Sequence, residues 1–419
     1  MHPGTGHEEP GMLSLADFFI GESSSPLRAP RGFSEWREHT AWAGALYEPV
    51  MLGGASPRVR MLIDGHEREA INLGSYNYLG LAQHPEVIAA ARSALEKYGT
   101  GACGAPTLSG MTDLHRELEQ RLSAFLGRES TLLFNSGFAG ALGCMGGLLR
   151  RGDVAVLDAK AHFCLAEGAE LAHARVETFA HNDLAALDAI LSRHASRRRL
   201  VVVEGIYSMD GDCADLPAVC AIAEKHGAGV LIDEAHSVLT CGASGRGACE
   251  EFGVEDSVGL FYATFSKAFA GIGGFASGDA ETIDYLRCYA HPYGYSCALP
   301  PATVAGLLAA LDVATRDATL RTRLWENARY FRRALQGMGL NTGASVSHVV
   351  PIIIGADRRK LYTLGLELRR RGLFIGAIDF PAVPEDQVRF RAAITAAHSR
   401  EDLDEALAII RETIVPSLS

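Results

Sequence analysis

Lys267 follows the strand-like run Leu260-Phe261-Tyr262-Ala263-Thr264 and leads into Gly271, Gly273 and Gly274. Thirty-four residues upstream, Asp233 closes the apolar run Val230-Leu231-Ile232, and His236 follows directly after Glu234-Ala235. An aldehyde cofactor such as pyridoxal phosphate needs that set: an amine for a Schiff base, an anion at the pyridinium nitrogen, and a donor near the ring oxygen. An unpaired ammonium at the end of an apolar strand is costly. Burial there lowers the amine's pKa, as Schiff-base chemistry requires.

Two other motifs point elsewhere and fail on context. Asp233-Glu234-Ala235-His236 matches the acidic metal-binding box of some helicases and ATPases, which also need a phosphate loop of the form G-x-x-x-x-G-K-[ST]. The chain has only five lysines (Lys97, Lys160, Lys225, Lys267 and Lys360), and none follows a glycine. Gly99-Thr100-Gly101-Ala102-Cys103-Gly104 fits G-x-G-x-x-G. It follows a helix-like stretch instead of a strand and runs into Ala105-Pro106-Thr107, a poor helix start. A loop near a ligand is the better reading.

The elements that must position Lys267 and Asp233 alternate along the chain. Helices are predicted over Phe33 to Leu46, Pro85 to Tyr98 with proline at its start, and Asp113 to Leu126 with apolar residues at helical spacing. Val59 to Ile63 followed by Asp64-Gly65 predicts a strand entering a hairpin. Short buried strands are expected at Thr131–Phe134, Val154–Leu157, Leu200–Glu204, Val230–Asp233 and Leu260–Thr264. Such alternation gives an α/β fold: a mostly parallel sheet with helices on both faces. Ligands of such sheets sit at the carboxyl ends of the strands, where Ser136-Gly137-Phe138, Glu204, Asp233 and Lys267 all fall. Ser136, Gly137 and Phe138 bridge a strand and a helix, so their backbone N–H groups form a ready phosphate site. A long helical stretch from Pro301 to Met338 then leads to a smaller α+β lobe, with strands near Val349–Ile354 and Val388–Ala393 and a helix from Arg400 to Ile414. The expected division is an N-terminal tail and arm (1–70), a large cofactor-binding domain (71–305) and a helical connection with a small C-terminal domain (306–419).

Composition is that of an ordinary globular enzyme, with 48% hydrophobic and 21% charged residues. Residues 1 to about 30, rich in Gly, Pro and Ser, read as a loosely ordered tail. No apolar run approaches a membrane span, and the start lacks the basic and apolar regions of a signal peptide. The cytoplasm is therefore the expected location. Nine cysteines without C-x-x-C pairs indicate neither a metal site nor a disulfide framework. A formal charge of −11 argues against nucleic acid as a partner. Local clusters at Arg197-Arg198-Arg199, Arg358-Arg359-Lys360 and Arg369-Arg370-Arg371 are candidates for receiving the phosphates of coenzyme A or the acidic face of a carrier protein.

Taken together the motifs resemble the α-oxoamine synthase family of fold-type-I pyridoxal-phosphate transferases. The matching stretches are Tyr78-Leu79-Gly80-Leu81, Phe179 to Asp183, Glu204 to Asp212, and the Asp233 and Lys267 segments. Among its members the serine palmitoyltransferase pattern is nearest, through Ser75-Tyr76-Asn77-Tyr78, Asp233 to Ser237, Thr264 to Lys267 and His291-Pro292-Tyr293. The resemblance implies that Lys267 carries the cofactor and shuttles the α-proton, that Asp233 keeps the pyridine nitrogen protonated, and that His236 reaches the ring oxygen. It implies that His162 stacks on the ring, that Thr264 binds phosphate and that Ser208 lies close to the cofactor. Arg391 would bind the amino-acid carboxylate, with Arg389 the competing assignment, and Asn77 and Ala105 would contact substrate.

The implied reaction joins a small L-amino acid (serine, then alanine or glycine) to an acyl thioester of coenzyme A or a carrier protein, with loss of CO₂ and thiol. A homodimer is implied as well. Two departures stand out: Pro106 occupies a place where many relatives carry arginine, and Ala141 replaces an asparagine common after the Ser-Gly-Phe turn. Another fold-type-I activity, an aminotransferase or lyase, is the alternative. A non-catalytic subunit is the third, and the presence of Lys267 with Asp233 and His236 speaks against it.

Overall fold

The computed structural model describes residues 25–40, 46 and 48–417. The first two strands, β1 (Arg58–Ile63) and β2 (His66–Asn72), form the hairpin that Asp64-Gly65 predicts, and both turn residues adopt positive φ, 50° and 77°. Seven strands then build the main sheet: β3 (Ser130–Phe134), β4 (Val154–Asp158), β5 (Arg175–Phe179), β6 (Arg199–Glu204), β7 (Gly229–Asp233), β8 (Leu260–Thr264) and β9 (Gly274–Gly278). Four more lie toward the C-terminus: β10 (Val349–Gly355), β11 (Leu373–Phe374), β12 (Gly376–Ile378) and β13 (Val388–Ala393).

The main sheet runs β3-β9-β8-β7-β6-β4-β5, and β9 alone is antiparallel to its neighbours. The middles of its central strands are apolar because both faces are covered. Val154, Val156, Val201, Val203, Val230 and Ile232 enter one core, while Ala155, Leu157, Val202 and Leu231 enter the core on the opposite face. That is the two-residue alternation of a strand, with each side buried. A separate core joins β10, β13 and the helices Arg358–Arg370 and Arg400–Thr413 through Val350, Ile352, Leu361, Phe390 and Leu407. This is the smaller C-terminal lobe, and β2 reaches it through parallel pairing with β11.

The five predicted strands of the main sheet and the helices Pro85–Tyr98 and Asp113–Leu126 are present. β5 and β9 escaped the sequence reading. β5 is an edge strand whose exposed Arg175 and Thr178, with the half-buried Glu177, break the apolar pattern. β9 begins and ends with glycine, a composition that carries no strand signal. Its Gly274 lies where an added Cβ would come within 3.0 Å of Ala263 O and Gly137 Cα, so glycine lets a helix start approach the sheet. The stretch from Pro301 to Met338 is two helices, Pro301–Arg316 and Thr319–Gly337. Asp317 breaks it with φ −110° and ψ 85°, and its carboxylate accepts from the backbone of Thr319. The first helix is seen over Phe33–His39, and residues 41–45 of its predicted span lie outside those described, as do residues 1–24 of the N-terminal tail.

Candidate active site

Because β4, β6, β7 and β8 are parallel, Asp158, Glu204, Asp233 and Thr264 finish at one end of the sheet. Glu204 and Asp233 are register partners on adjacent strands. The loops leaving these strand ends, with the helix that follows β3, enclose a cavity of about 290 Å³. Lys267, Asp233, His236, His162, Ser136, Gly137, Phe138, Ser208 and Thr264 all line it.

The helix Gly137–Leu148 starts at one end of this cavity. Ser136 caps it, its hydroxyl accepting from Ala139 N–H at 3.0 Å. Glycines bring the helix down onto the sheet: a Cβ on Gly137 would lie 2.5 Å from Thr264 Oγ1, and one on Gly143 would lie 2.7 Å from the Phe134 ring. The first N–H groups of the helix thus face the cavity beside the hydroxyls of Thr264 and Ser266, which are 2.8 Å apart.

At the other end, burial pushes the Asp233 carboxyl up to about 6, against the opposing pull of Lys267 and the Ala235 N–H. Burial lowers the Lys267 amine, opposed by Asp233 and Glu204. His162 is lowered to about 4 by burial and by the positive charges of Lys267 and Arg391. His236, fully enclosed, is held well below the ordinary histidine value for the same reasons. Both imidazoles are therefore neutral near pH 7.

Glu204, named only as a strand-end residue in the sequence reading, organises two of these groups. Its carboxylate accepts from His162 N–H at 2.6 Å and from Ser208 N–H at 3.2 Å. Burial and the adjacent Asp233 raise its pKa well above the carboxylate range. Its place at the end of an apolar strand was the available signal. Cys164 and Tyr262 also line the cavity without having been singled out.

Arg391 and Arg389 share one face of β13 but have different surroundings. Arg389 pairs with Asp210 at 3.0 Å, and Lys160 reaches the same carboxylate at 3.0 Å. Arg391 has no carboxylate partner among the described residues. It donates to Ser208 O at 3.1 Å and to the Tyr76 hydroxyl, with its guanidinium over the Tyr76 ring. Asn77 and Ala105 are not brought to the cavity. The Asn77 amide donates to Ala55 O at 2.8 Å and accepts from Ala82 N–H at 3.2 Å, which consumes it structurally. Ala105 O accepts from Leu108 and Gly110 N–H within its own loop. Each basic cluster is partly neutralised by ion pairs: Arg198 with Asp153, Arg358 with Asp379, Arg370 with Asp64 and Arg371 with Glu367.

An amine, a carboxylate, two neutral imidazoles and a helix N-terminus converge on one cavity in a mostly parallel α/β sheet. Residues 68–410 match the family described as aminotransferase class I and II. The 8-amino-7-oxononanoate synthase of Thermoanaerobacter pseudethanolicus is 38% identical over 83% of this chain and 88% of its own length. The serine palmitoyltransferase of Sphingobacterium spiritivorum is 38% identical over 87% of this chain and 90% of its own. The solved structure of Sphingomonas wittichii serine palmitoyltransferase superposes with TM-score 0.86 and 33% identity, over 91% of this chain and 96% of that one. The chain belongs to the aminotransferase class I and II family and, within it, to the α-oxoamine synthases. It is an acyltransferase of that type with pyridoxal phosphate as cofactor. Among the described residues no helix is long and apolar enough to cross a membrane.

Proposed function

We propose that the chain joins a small L-amino acid, serine ahead of alanine or glycine, to an acyl group delivered as a thioester. Carbon dioxide and the free thiol leave, and a 2-amino ketone remains. The observation that carries this reading is Arg391, a guanidinium without a carboxylate partner among the described residues, bonded to Ser208, which lines the cavity with Lys267, Asp233 and His162.

The donor set fits pyridoxal phosphate at both ends. The start of the helix Gly137–Leu148, with Thr264 and Ser266, would hold its phosphate, and Asp233 would hold its ring nitrogen. When bound, the cofactor supplies an aldehyde for covalent attachment and a conjugated ring that spreads the electron pair left at a substrate α-carbon. The protein's residues do the rest. Asp233 holds a proton at the ring nitrogen, and a cation there relieves the cost of its buried charge. Lys267, with its amine pKa lowered by burial, is the attachment point and then the base for the α-proton. His162 would pack on the ring face, His236 would donate to the ring oxygen, and Ser208 would lie against the cofactor.

Arg391 takes the amino-acid carboxylate in a bidentate fork. Arg389 is less suited, because Asp210 already neutralises it. Asn77 and Ala105 then act on substrate only through the segments that carry them. Coenzyme A or a carrier protein delivers the acyl group, and we infer a homodimer working in the cytoplasm.

The test is an absorbance titration of cofactor-loaded protein with serine, alanine and glycine separately, followed by an acyl thioester. A saturable shift with one amino acid, then thiol and CO₂ released in equal amounts, is expected. Amino-group transfer to a 2-oxo acid without thiol release would replace this reading with an aminotransferase. Lys267→Ala should abolish the borohydride-reducible link to cofactor, as read by intact mass.

A further inference from the structure

Tyr78, in the segment after β2, is fully buried, and its hydroxyl lies 2.7 Å from Nδ1 of His236. Its ring packs edge-on against His348, with centroids 4.1 Å apart. No second acceptor for the Tyr78 hydroxyl is present among the described residues.

A phenol and an imidazole nitrogen can share one hydrogen in two ways. If Nδ1–H donated to the phenol oxygen, the phenol hydrogen would be buried without an acceptor, an expensive omission. If the phenol donates, the buried donors are served and the imidazole proton moves to Nε2. His236 lines the cavity, and its Nε2 has no protein partner among the described residues. The ring stays neutral, since burial and then the positive charges of Lys267 and Arg391 oppose its protonation. Burial likewise keeps the Tyr78 phenol protonated. Direction is then everything: one tautomer offers the cavity an N–H, the other a lone pair that would repel an oxygen.

We propose that Tyr78 is a positioning residue: by donating to Nδ1 it fixes His236 in the Nε2–H tautomer that hydrogen-bonds the cofactor's ring oxygen. This rests on the pyridoxal phosphate reading of the cavity. His162 needs no such partner, because its Nδ1 accepts from the backbone N–H of Cys164 at 3.4 Å and lies 2.8 Å from that residue's thiol. Of the two cavity histidines, His236 is the one whose tautomer depends on a distant side chain.

The experiment combines ring-¹⁵N-histidine NMR with a double-mutant cycle on cofactor affinity. Tyr78→Phe keeps the ring against His348, and a melting curve reports its folding. The full chain, with and without pyridoxal phosphate, should show His236 as Nε2–H, and Tyr78→Phe should populate Nδ1–H. The cofactor dissociation constant should rise roughly threefold to tenfold in Tyr78→Phe, the span of one net hydrogen bond. In a His236→Ala background the same substitution should change it by less than about twofold. An unchanged tautomer in Tyr78→Phe would overturn the proposal. So would an equal loss of affinity in both backgrounds, which would reveal a packing role. Wild-type protein that takes up no pyridoxal phosphate would sink the cofactor reading instead, while the tautomer spectra of that protein still decide what Tyr78 does.

Discussion

Glu204→Gln is the sharpest test of how the cavity is organised, because the two carboxylate oxygens have separate duties. One accepts from His162 N–H at 2.6 Å and the other from Ser208 N–H at 3.2 Å. A protonated carboxyl can still accept at both oxygens, whereas an amide turns one of them into a donor. One of the two N–H groups must then face an NH₂ group in a buried place. Leaving a buried donor unserved costs about 1–3 kcal/mol. At 1.4 kcal/mol per tenfold, cofactor affinity should weaken roughly 5- to 150-fold if the displaced loop is the one that holds the cofactor. The assay is a fluorescence titration of apoprotein with pyridoxal phosphate, run beside thermal melts of the cofactor-free protein. Affinity should fall by more than the melting temperature alone accounts for, since His162 and Ser208 both line the cavity. An affinity within about twofold of wild type, with an unchanged melt, would refute the idea that Glu204 sets these two residues.

Gly137→Ala would push a methyl to 2.5 Å from Thr264 Oγ1, an overpacking worth about 1–3 kcal/mol. The helix start must move, and equilibrium dialysis should show cofactor affinity reduced about tenfold. Arg391→Lys loses the fork to a carboxylate, so amino-acid titration of the holoenzyme should show a dissociation constant raised about 10- to 100-fold. Arg389→Lys should leave that constant nearly unchanged, because its partner is Asp210. His181 bridges Asp158 and Asp212 at 2.9 and 2.8 Å. Burial alone would lower its pKa, but the hydrogen bonds to both aspartates overcome this and raise it to about 9. A raised folded-state pKa stabilises fully below the unfolded value of about 6.5, and the gain disappears as pH rises through about 9. Melting curves from pH 6 to 10 should fall more steeply for wild type than for His181→Asn, and parallel curves would contradict the assignment.

The chemistry was legible early because it depends on residue types at strand ends. A lone lysine after an apolar strand, and an aspartate closing another, need no fold to be conspicuous. The strands themselves were readable where both faces are buried, since β4, β6, β7 and β8 are then apolar on both faces up to their last residues. β9 was not readable, because its Gly274 is there for the close approach of the helix at Gly137, and a contact between distant segments leaves no local pattern. Glu204 was visible as a strand end but not as a clamp, for its two partners lie at positions 162 and 208 in separate loops.

Residue types and spacing were enough to point to a pyridoxal-phosphate enzyme and to its mostly parallel sheet, and they proposed Ser136-Gly137-Phe138 as the phosphate turn. Only the tertiary structure separated Arg391 from Arg389, two residues apart on the same strand face. Their difference is that Asp210 reaches one guanidinium and no carboxylate among the described residues reaches the other. It likewise placed Asn77 in backbone hydrogen bonds and set Tyr78 against His236 across 158 residues of chain. Charge compensation and tautomer choice are properties of neighbours in space, and a linear chain does not name its neighbours until it has folded.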